Sequence, residues 1–400
     1  MESKSSEKDR QVSISEWFGL RKDRDNYILN PRDCPEDASF YARRTRSLDI
    51  DEQITSLEVD LGAKLAPKKL YWGPYGGGKT HTLFKVLKEL GDRVDIHSVF
   101  VECPTLKSTS TFTVLYEKTM NQMGMDFVLS LFRDALNHVA RKTGITNPEE
   151  AVKMLSSLLG DEDLGRAVYQ LTQPSSSFDP MWLWRWLTAS GISPKDKVEL
   201  RVTGDLKTAD PEKLANILLT IGKLLNEFKN ETLVLVFDEL DRARNLSRDP
   251  IVTFSTAFTT LTDPNQKYVS VFLATSADRI TEVPGIISAA VKSRLTPENQ
   301  CEIPPMVSDD LETFIEDLIG YTRPKDLKLE SLLQRAMSQT KEQVVADLYP
   351  FTKEAIEALR VKLGKSIVPR EICFIMSRAA SYAKNIMKLN VITKKAIENS

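Results

Sequence analysis

The sequence predicts an α/β fold built on a parallel sheet, and three observations carry this prediction. Residues 70–72 form a short β-prone run that is followed by a glycine-rich turn and an amphipathic helix over 80–90. Residues 233–237 are continuously apolar, which is typical of a strand buried on both faces of a parallel sheet. A third β-prone run covers residues 267–274. Strands interleaved with helices in this way indicate an α/β protein.

Further segments complete this core and place a helical region inside it. Residues 95–102 and 300–303 are two more strand candidates, and residues 286–295 are predicted to form a helix. Between the second strand and the apolar run, hydrophobic residues recur at three- and four-residue spacing, which predicts helices. These helices are expected at residues 112–124, 127–142, 149–159, 164–171, 181–187 and 211–228.

Helices are also expected on either side of the core. One lies within residues 38–65, and apolar residues at helical spacing predict four more near the C-terminal end. These four are expected at residues 311–319, 327–337, 353–363 and 369–389. The apolar residues 17–20 and 27–29 are expected to dock on the sheet or on a neighbouring molecule.

These elements divide the chain into three parts. Residues 1–40 are an N-terminal segment, of which residues 1–12 are predicted to be disordered. Residues 41–305 are the α/β core, with a large helical insertion at about 105–230. Residues 306–400 form a C-terminal helical lid.

Composition excludes several classes of protein. The 400 residues contain 54 Lys and Arg against 56 Asp and Glu, giving a formal net charge of −2. This balance excludes binding of nucleic acid by bulk positive charge alone. No run approaches the roughly 18 apolar residues needed to cross a bilayer, and the first ten residues lack the apolar region of a secretory signal. We therefore expect a cytoplasmic protein that does not contact a membrane.

The glycine-rich turn has the sequence of a phosphate-binding loop. Residues 73–80 read GPYGGGKT and match the pattern G-x-x-x-x-G-K-[ST]. Glycines let successive backbone N–H groups turn toward phosphate oxygens, and Lys79 brings a positive charge to the β- and γ-phosphates. The hydroxyl of Thr80 is a candidate Mg²⁺ ligand. The candidate nucleotide-binding residues are Gly73, Pro74, Tyr75, Gly76, Gly77, Gly78, Lys79, Thr80 and His81.

Two acidic residues end the apolar run. Asp238 and Glu239 stand at the carboxyl end of the strand predicted over 233–237. The carboxylate of Asp238 is suited to hold Mg²⁺ through water, and that of Glu239 is suited to polarise an attacking water as general base. An ordinary polar strand exit is the alternative interpretation. Together with the upstream loop, the pair favours nucleotide hydrolysis.

The order of these features resembles that of the AAA+ ATPases. Within them it is most similar to the initiator group, the origin-recognition and cell-division-cycle loaders, in which the acidic strand continues as Asp-Glu-x-Asp. Residues 238–241 read DELD and match that pattern. The resemblance implies a P-loop ATPase that uses ATP and Mg²⁺. Its implied catalytic residues are Lys79, Asp238, Glu239 and Arg294.

The resemblance also implies roles for three residues near the nucleotide. The third strand should carry a polar sensor, for which Ser276 or its neighbour Thr275 is the match. Arg294, near the end of a helix, should reach the nucleotide of a neighbouring subunit. Arg370, in the first turn of a lid helix behind Pro369, should act as a second sensor. Solvent-exposed or purely structural roles remain the alternatives for both arginines.

The sequence departs from the initiator pattern in three respects. The usual sensor asparagine is absent from residues 274–278, which puts the rate of hydrolysis in question. The residues after Arg370 are too few for the winged-helix domain with which initiators hold DNA, so no such domain is expected. The helical insertion is far longer than a minimal α/β unit requires. Its layout also resembles P-loop ATPases of phage-defence and transposition systems.

The insertion contains an aromatic segment with three open interpretations. Residues 181–187 read MWLWRWL. The tryptophans could stack on bases, insert into a partner protein, or form the core of the insertion itself.

Two main functional hypotheses follow from these residues. In the first, an ATPase uses its nucleotide state to control self-assembly and engagement of a partner protein or DNA. In the second, an ATP-gated switch hydrolyses little and docks an effector through its insertion. A monomeric P-loop kinase is a third, less favoured hypothesis. We expect an ATP-dependent homo-oligomer with a protein partner, and the sequence leaves DNA binding open.

Overall fold

The protein is described by a computed structural model that covers residues 13–21, 24, 26–42, 49–143, 147–173, 178–365 and 367–400. The predicted disorder of residues 1–12 falls outside this part of the chain. The described residues form two compact units. The first comprises the residues up to Ile50 with Pro74–Lys88 and Ile303–Ser400, and the second comprises Asp51–Gly73 and Glu89–Glu302. The three-part division drawn from the sequence stays a prediction.

The second unit contains a five-stranded parallel sheet, which confirms the predicted α/β fold. Its strands lie at the predicted places along the chain: β1 (Lys68–Gly73), β2 (Ile96–Glu102), β3 (Thr232–Asp238), β4 (Val269–Ser276) and β5 (Gln300–Glu302). Their order across the sheet is β2-β3-β4-β1-β5, and every neighbouring pair is parallel. The carboxyl ends of all five strands therefore meet at one edge of the sheet.

The central strands are buried, as their apolar sequences predict. Every residue of β3 is buried, and so is every residue of β4 except Ser276. Side chains alternate between the two faces, so Leu233, Leu235 and Phe237 project to one face of the sheet. Asp238 follows Phe237 and therefore belongs to the opposite face.

The helical insertion predicted between β2 and β3 is present. It consists of α4 (Phe112–Met123), α5 (Met125–Thr143), α6 (Pro148–Leu159), α7 (Glu162–Tyr169), α8 (Pro180–Leu187), α9 (Pro194–Leu200) and α10 (Pro211–Lys229). The predicted aromatic segment is α8. Trp186 is fully buried and donates through Nε1 to the carbonyl oxygen of Gly204 at 2.9 Å. Trp182 and Trp184 pack against the same apolar cluster, so this segment belongs to the core of the insertion.

The helices near the strands agree with the sequence predictions to different degrees. Helix α2 spans Ile50–Gly62 and α3 spans Lys79–Gly91, close to their predicted positions. The helix α11 (Arg248–Leu261) lies between β3 and β4, where the sequence analysis placed none. The helix predicted over 286–295 is shorter, because α12 covers only Ala289–Arg294 and begins after an N-cap at Ser288.

The first unit is built around the C-terminal helices. They are α13 (Asp310–Thr322), α14 (Leu329–Gln339), α15 (Lys353–Leu363), α16 (Pro369–Tyr382) and α17 (Lys394–Glu398). A π-helical turn over Ala383–Met387 ends the helix that the sequence predicts as far as residue 389. Among the described residues, no helix is both long and apolar enough to span a membrane.

The N-terminal residues belong to this same unit. The short helix α1 (Ile14–Phe18) buries Phe18 in the apolar cluster of the C-terminal helices. Trp17 donates through Nε1 to the carbonyl oxygen of Leu389 at 2.7 Å, and Tyr27 is fully buried in the same cluster. The expectation that these residues dock on the sheet or on a neighbouring molecule is therefore wrong, because they pack against the apolar surface of the C-terminal helices.

Close packing of α10 against β4 gives a test of the fold. A Cβ atom on Gly222 would meet Cγ2 of Val269 and lie 2.9 Å from the carbonyl oxygen of Tyr268. We expect Gly222→Ala to lower the free energy of unfolding by about 1–3 kcal/mol because the backbone would have to shift. Urea denaturation measures this change.

The matched control is Gly320→Ala in α13. Gly320 is exposed, and in the described part of the chain its Cβ would meet no atom within 4 Å. Alanine there should stabilise by about 0.5–1 kcal/mol through its better helix propensity. A Gly222→Ala protein as stable as the wild type would show that α10 and β4 are less tightly packed than described.

Candidate functional site

The loop after β1 has a backbone conformation that depends on its glycines. Gly76 and Gly78 have φ values of +77° and +104°, a region that favours glycine. The N–H of Gly77 donates to the carbonyl oxygen of Pro74 at 3.1 Å and closes the turn. Helix α3 begins immediately afterwards at Lys79. The loop therefore ends on a helix N-terminus, where backbone N–H groups and the helix dipole favour an anion.

Lys79 is held inside this loop. The residue is 7% exposed, and its Nζ donates to the carbonyl oxygen of Pro74 at 2.9 Å. Burial of an ammonium group is costly unless it has hydrogen-bond acceptors. A phosphate group is a better acceptor for this charge than a peptide carbonyl. Thr80, the next residue, is half-buried in the first turn of α3.

His81 contacts Phe40 of the N-terminal segment. Its Nε2 donates to the carbonyl oxygen of Phe40 at 2.6 Å. Its ring meets the Phe40 ring edge-on at a centroid distance of 6.0 Å. These contacts attach the first turn of α3 to the segment before α2. They give His81 an anchoring role beside its predicted place among the nucleotide-binding residues.

Arg370 lies directly beside the loop. Its Nη1 donates to Oη of Tyr75 at 2.5 Å, and its guanidinium carbon lies 5.0 Å from the centre of the Tyr75 ring. The backbone N–H of Arg370 also points to the carbonyl oxygen of Gly76 at 3.4 Å. The structure thus brings the predicted second-sensor arginine to the phosphate loop. The contact between Arg370 and Tyr75 is not predicted by the sequence.

The acidic pair lies at the carboxyl edge of the sheet. Asp238 is 1% exposed and ends β3. One oxygen of its carboxylate accepts the N–H of Glu239 at 2.8 Å. Glu239 has φ +57° and ψ +36°, a left-handed conformation that costs a non-glycine residue roughly 1 kcal/mol or more. The N–H of Arg242 bonds to the carbonyl oxygen of Glu239 at 3.1 Å and helps to hold this turn.

Arg242 joins Glu239 to the neighbouring strand β2. Its guanidinium forms an ion pair with the carboxylate of Glu239 and a second with that of Glu102, the latter at 2.7 Å. It also donates to the carbonyl oxygen of Cys103 at 2.6 Å. Burial acts to lower the pKa of Arg242, but the two carboxylates outweigh it and the pKa is raised. Arg242 therefore stays charged, and it is a site residue that the sequence analysis missed.

Cys103 does not add a nucleophile to this edge. Burial raises the pKa of its thiol to about 12, although the charges of Arg242 and Lys118 oppose that rise. The thiol is therefore protonated near neutral pH, whereas a nucleophilic cysteine needs its thiolate.

The carboxyl end of β4 is tied to the residues that follow Glu239. The backbone N–H of Ser276 donates to a carboxylate oxygen of Asp241 at 2.9 Å. The carbonyl oxygen of Ser276 accepts a hydrogen bond from the guanidinium of Arg244. By strand alternation Ser276 shares a sheet face with Asp238, whereas Thr275 points to the other face. The Thr275 hydroxyl is buried and has no hydrogen-bond partner among the described residues. Of the two sensor candidates, Ser276 is the one on the face of the acidic pair.

β1 ends at the same edge of the sheet. Its last residue, Gly73, pairs with Ser276, and its carbonyl oxygen accepts the N–H of Ala277 at 3.0 Å. Gly73 is also the first residue of the phosphate loop, residues 73–80. Gly73 therefore lies at the same edge of the sheet as Asp238 and Glu239.

Arg294 is engaged within its own chain. It stands at the end of α12, is half-buried, and donates through Nη1 to the carbonyl oxygen of Thr259 on α11. To reach the nucleotide of a neighbouring subunit, as the resemblance implies, its guanidinium would have to exchange this carbonyl for a phosphate oxygen. Its role in another subunit's site stays a prediction.

No protein-family model and no curated protein matches this chain. Solved structures similar to it include the Orc1 protein of Aeropyrum pernix in complex with DNA, at 12% identity and a TM-score of 0.45, covering 92% of this chain and 66% of that one. The Orc2 protein of the same organism, as ADPNP–ADP complexes, has 12% identity and a TM-score of 0.46, with 95% and 72% covered.

The Cdc6 protein of Pyrobaculum aerophilum is also similar, at 13% identity and a TM-score of 0.43, covering 88% of this chain and 66% of that one. This chain thus spans about two thirds of the Orc1 and Cdc6 proteins.

Proposed function

We propose that this chain is a Mg²⁺-dependent ATPase of the AAA+ type, whose nucleotide state controls its assembly and its engagement of a partner. The proposal is carried by one edge of the sheet. There the carboxyl end of β3 presents Asp238 and Glu239, β4 ends at Ser276, and β1 ends at Gly73, where the phosphate loop starts. Such an edge is where α/β proteins bind their ligands.

The phosphate loop is the proposed binding site for the phosphates of the nucleotide. Left-handed glycines and a helix N-terminus supply several backbone donors, and Lys79 supplies a buried positive charge. The ammonium of Lys79 would leave the Pro74 carbonyl for the β- and γ-phosphates. The positive helix end and the charge together favour a polyphosphate over a neutral ligand.

The residues present also fit Mg²⁺. This ion prefers oxygen ligands, keeps several waters, and is usually bound by one or two protein groups together with substrate phosphates. Within the described ranges, no three or more His, Cys, Asp or Glu side chains form a metal cluster. Thr80 would supply a hydroxyl and the buried Asp238 a carboxylate, the latter through water. When bound, Mg²⁺ would neutralise the charge on the phosphates.

Glu239 is the group proposed to activate water. A carboxylate that accepts a proton from an attacking water is a general base, and its charge must be retained near neutral pH. In this structure the carboxylate of Glu239 forms an ion pair with Arg242. The same ion pair also occupies the carboxylate, so a water molecule must share or displace Arg242 before proton transfer.

This occupancy favours the second candidate, an ATP-gated switch with slow turnover. In that case nucleotide binding, rather than hydrolysis, would set the state of the protein. The helical insertion would then be the surface that docks an effector protein. DNA as a partner is a further proposal, for which the net charge of −2 supplies no bulk attraction.

One experiment separates the two candidates. The mass of the particle is measured in solution with Mg²⁺ alone, with Mg²⁺ and ADP, and with Mg²⁺ and ATP, alongside release of inorganic phosphate. An ATPase that assembles should form an oligomer with ATP and release phosphate at many equivalents per chain. An oligomer that releases less than one equivalent supports the switch. A chain that neither binds ATP nor changes its mass would contradict both.

A further inference from the structure

An exposed aromatic side chain stands in the phosphate loop. Tyr75 is 66% exposed, although the loop positions beside it are a proline and glycines. A loop that wraps phosphate with its backbone does not need a bulky side chain at this position. The contacts of the Tyr75 ring indicate a different role for this side chain.

Tyr75 makes its described side-chain contacts with Arg370. The guanidinium stacks on the ring at 5.0 Å from its centre and donates to the phenol oxygen at 2.5 Å. The two residues are 295 positions apart in the sequence, so only the fold brings them together. A stack and a hydrogen bond on one guanidinium fix both its position and its plane.

The backbones of the two segments are also in contact. The N–H of Arg370 approaches the carbonyl oxygen of Gly76 at 3.4 Å. A Cβ atom on Gly76 would lie 3.1 Å from Cβ of Arg370 and 3.5 Å from Cγ2 of Val368. Glycine at position 76 is thus required twice, by its left-handed φ and by the close approach of α16. The start of α16 is set against the loop, and only the Arg370 side chain remains to be ordered.

Ordering that side chain matters because it is long and exposed. A free arginine side chain samples many rotamers, and binding of an anion would have to overcome the entropy lost in fixing one of them. A guanidinium already held beside the loop loses less freedom when a phosphate arrives. The aromatic face also leaves the N–H groups at the rim of the guanidinium available as donors.

We propose that Tyr75 is a positioning residue, which holds the guanidinium of Arg370 ready for the terminal phosphate of a nucleoside triphosphate. The inference rests on the proposed function, because it needs the loop to bind a nucleotide. Tyr75 itself touches no reacting atom. Its effect passes through Arg370 and concerns the third phosphate of the ligand.

The test compares the affinities of ATP and ADP by calorimetry, in the presence of Mg²⁺, for four variants: Tyr75→Ala, Tyr75→Phe, Arg370→Ala and the double variant Tyr75→Ala with Arg370→Ala. Tyr75→Ala should weaken ATP binding about three- to fivefold, the value of an exposed cation–π contact, and leave ADP binding unchanged. Tyr75→Phe keeps the ring and should retain most of the affinity. The double variant should bind ATP as Arg370→Ala does, because Tyr75 acts only through Arg370.

Phe374→Ala is the matched control. Phe374 is an exposed aromatic residue on α16, one turn beyond Arg370. The guanidinium carbon of Arg378 lies over its ring, 5.7 Å from the ring centre. Removing this stack should leave the affinities for ATP and ADP unchanged. Wild-type ATP affinity in Tyr75→Ala, or equal losses for ATP and ADP, would overturn the inference while the proposed function stands. A wild-type chain that binds neither nucleotide would overturn both.

Discussion

Replacing Glu239 with glutamine should reduce ATP turnover by roughly 10²–10⁴-fold and leave ATP binding intact. Glutamine has nearly the same shape but cannot accept the proton of an attacking water. Its side-chain oxygen can still accept a hydrogen bond from Arg242, so the left-handed turn at position 239 should persist. Phosphate release and calorimetric ATP binding, measured on the same preparation, check the two halves of this expectation. Oligomers that form with ATP should accumulate in the variant.

The control for this substitution is Glu102→Gln. Glu102 is the other carboxylate on the guanidinium of Arg242, at 2.7 Å, and lies at the end of β2. Glu102→Gln removes one negative charge beside Arg242, as Glu239→Gln does, but it leaves the proposed general base in place. Turnover should therefore fall far less than in Glu239→Gln. Wild-type turnover in Glu239→Gln would rule out Glu239 as the general base.

Replacing Lys79 with alanine should weaken ATP binding by roughly 100-fold or more, since charge-assisted hydrogen bonds to two phosphates are lost. The loop itself should keep its conformation, because the Gly77–Pro74 backbone hydrogen bond and the glycine φ values do not depend on this side chain. Alanine also relieves the burial of an ammonium group, so the folded state should not be weakened. Calorimetric titration with ATP and a thermal melt measure the two effects.

Lys88→Ala provides the comparison. Lys88 is an exposed lysine in the last turn of the same helix, α3. Its removal changes the net charge equally but should leave ATP affinity unaltered. If the two lysine variants bound ATP equally well, the loop would not be the phosphate site.

Much of the fold can be predicted because each element carries its own local signal. The apolar run at 233–237 and the glycine-rich turn with its following helix each specify a structure without reference to the rest of the chain. Helix α11 was not predicted, since Thr and Val residues within it have low helix propensity. Its buried residues Phe254, Ala257, Phe258 and Leu261 nevertheless recur at helical spacing, and burial outweighs propensity.

The site was predictable only in its motifs. Lys79, Thr80, Asp238 and Glu239 stand in patterns whose spacing is itself the signal. The pairing of Arg242 with Glu239 and Glu102, and of Arg370 with Tyr75, depends on side-chain directions set by tertiary packing. A basic residue three positions after Glu239, in a tight turn, was the available hint for Arg242.

The position of the insertion has a consequence for how the chain folds. β2 and β3 are neighbours in the sheet and pair along their full lengths, yet the whole insertion separates them in sequence. Contacts of such high sequence separation are slow to form, because a long loop must close first. Helices α4–α10 make many short-range contacts and can order early, which shortens the effective distance between the two strands. The insertion would thus act as an internal scaffold during sheet assembly, in addition to any role at the surface.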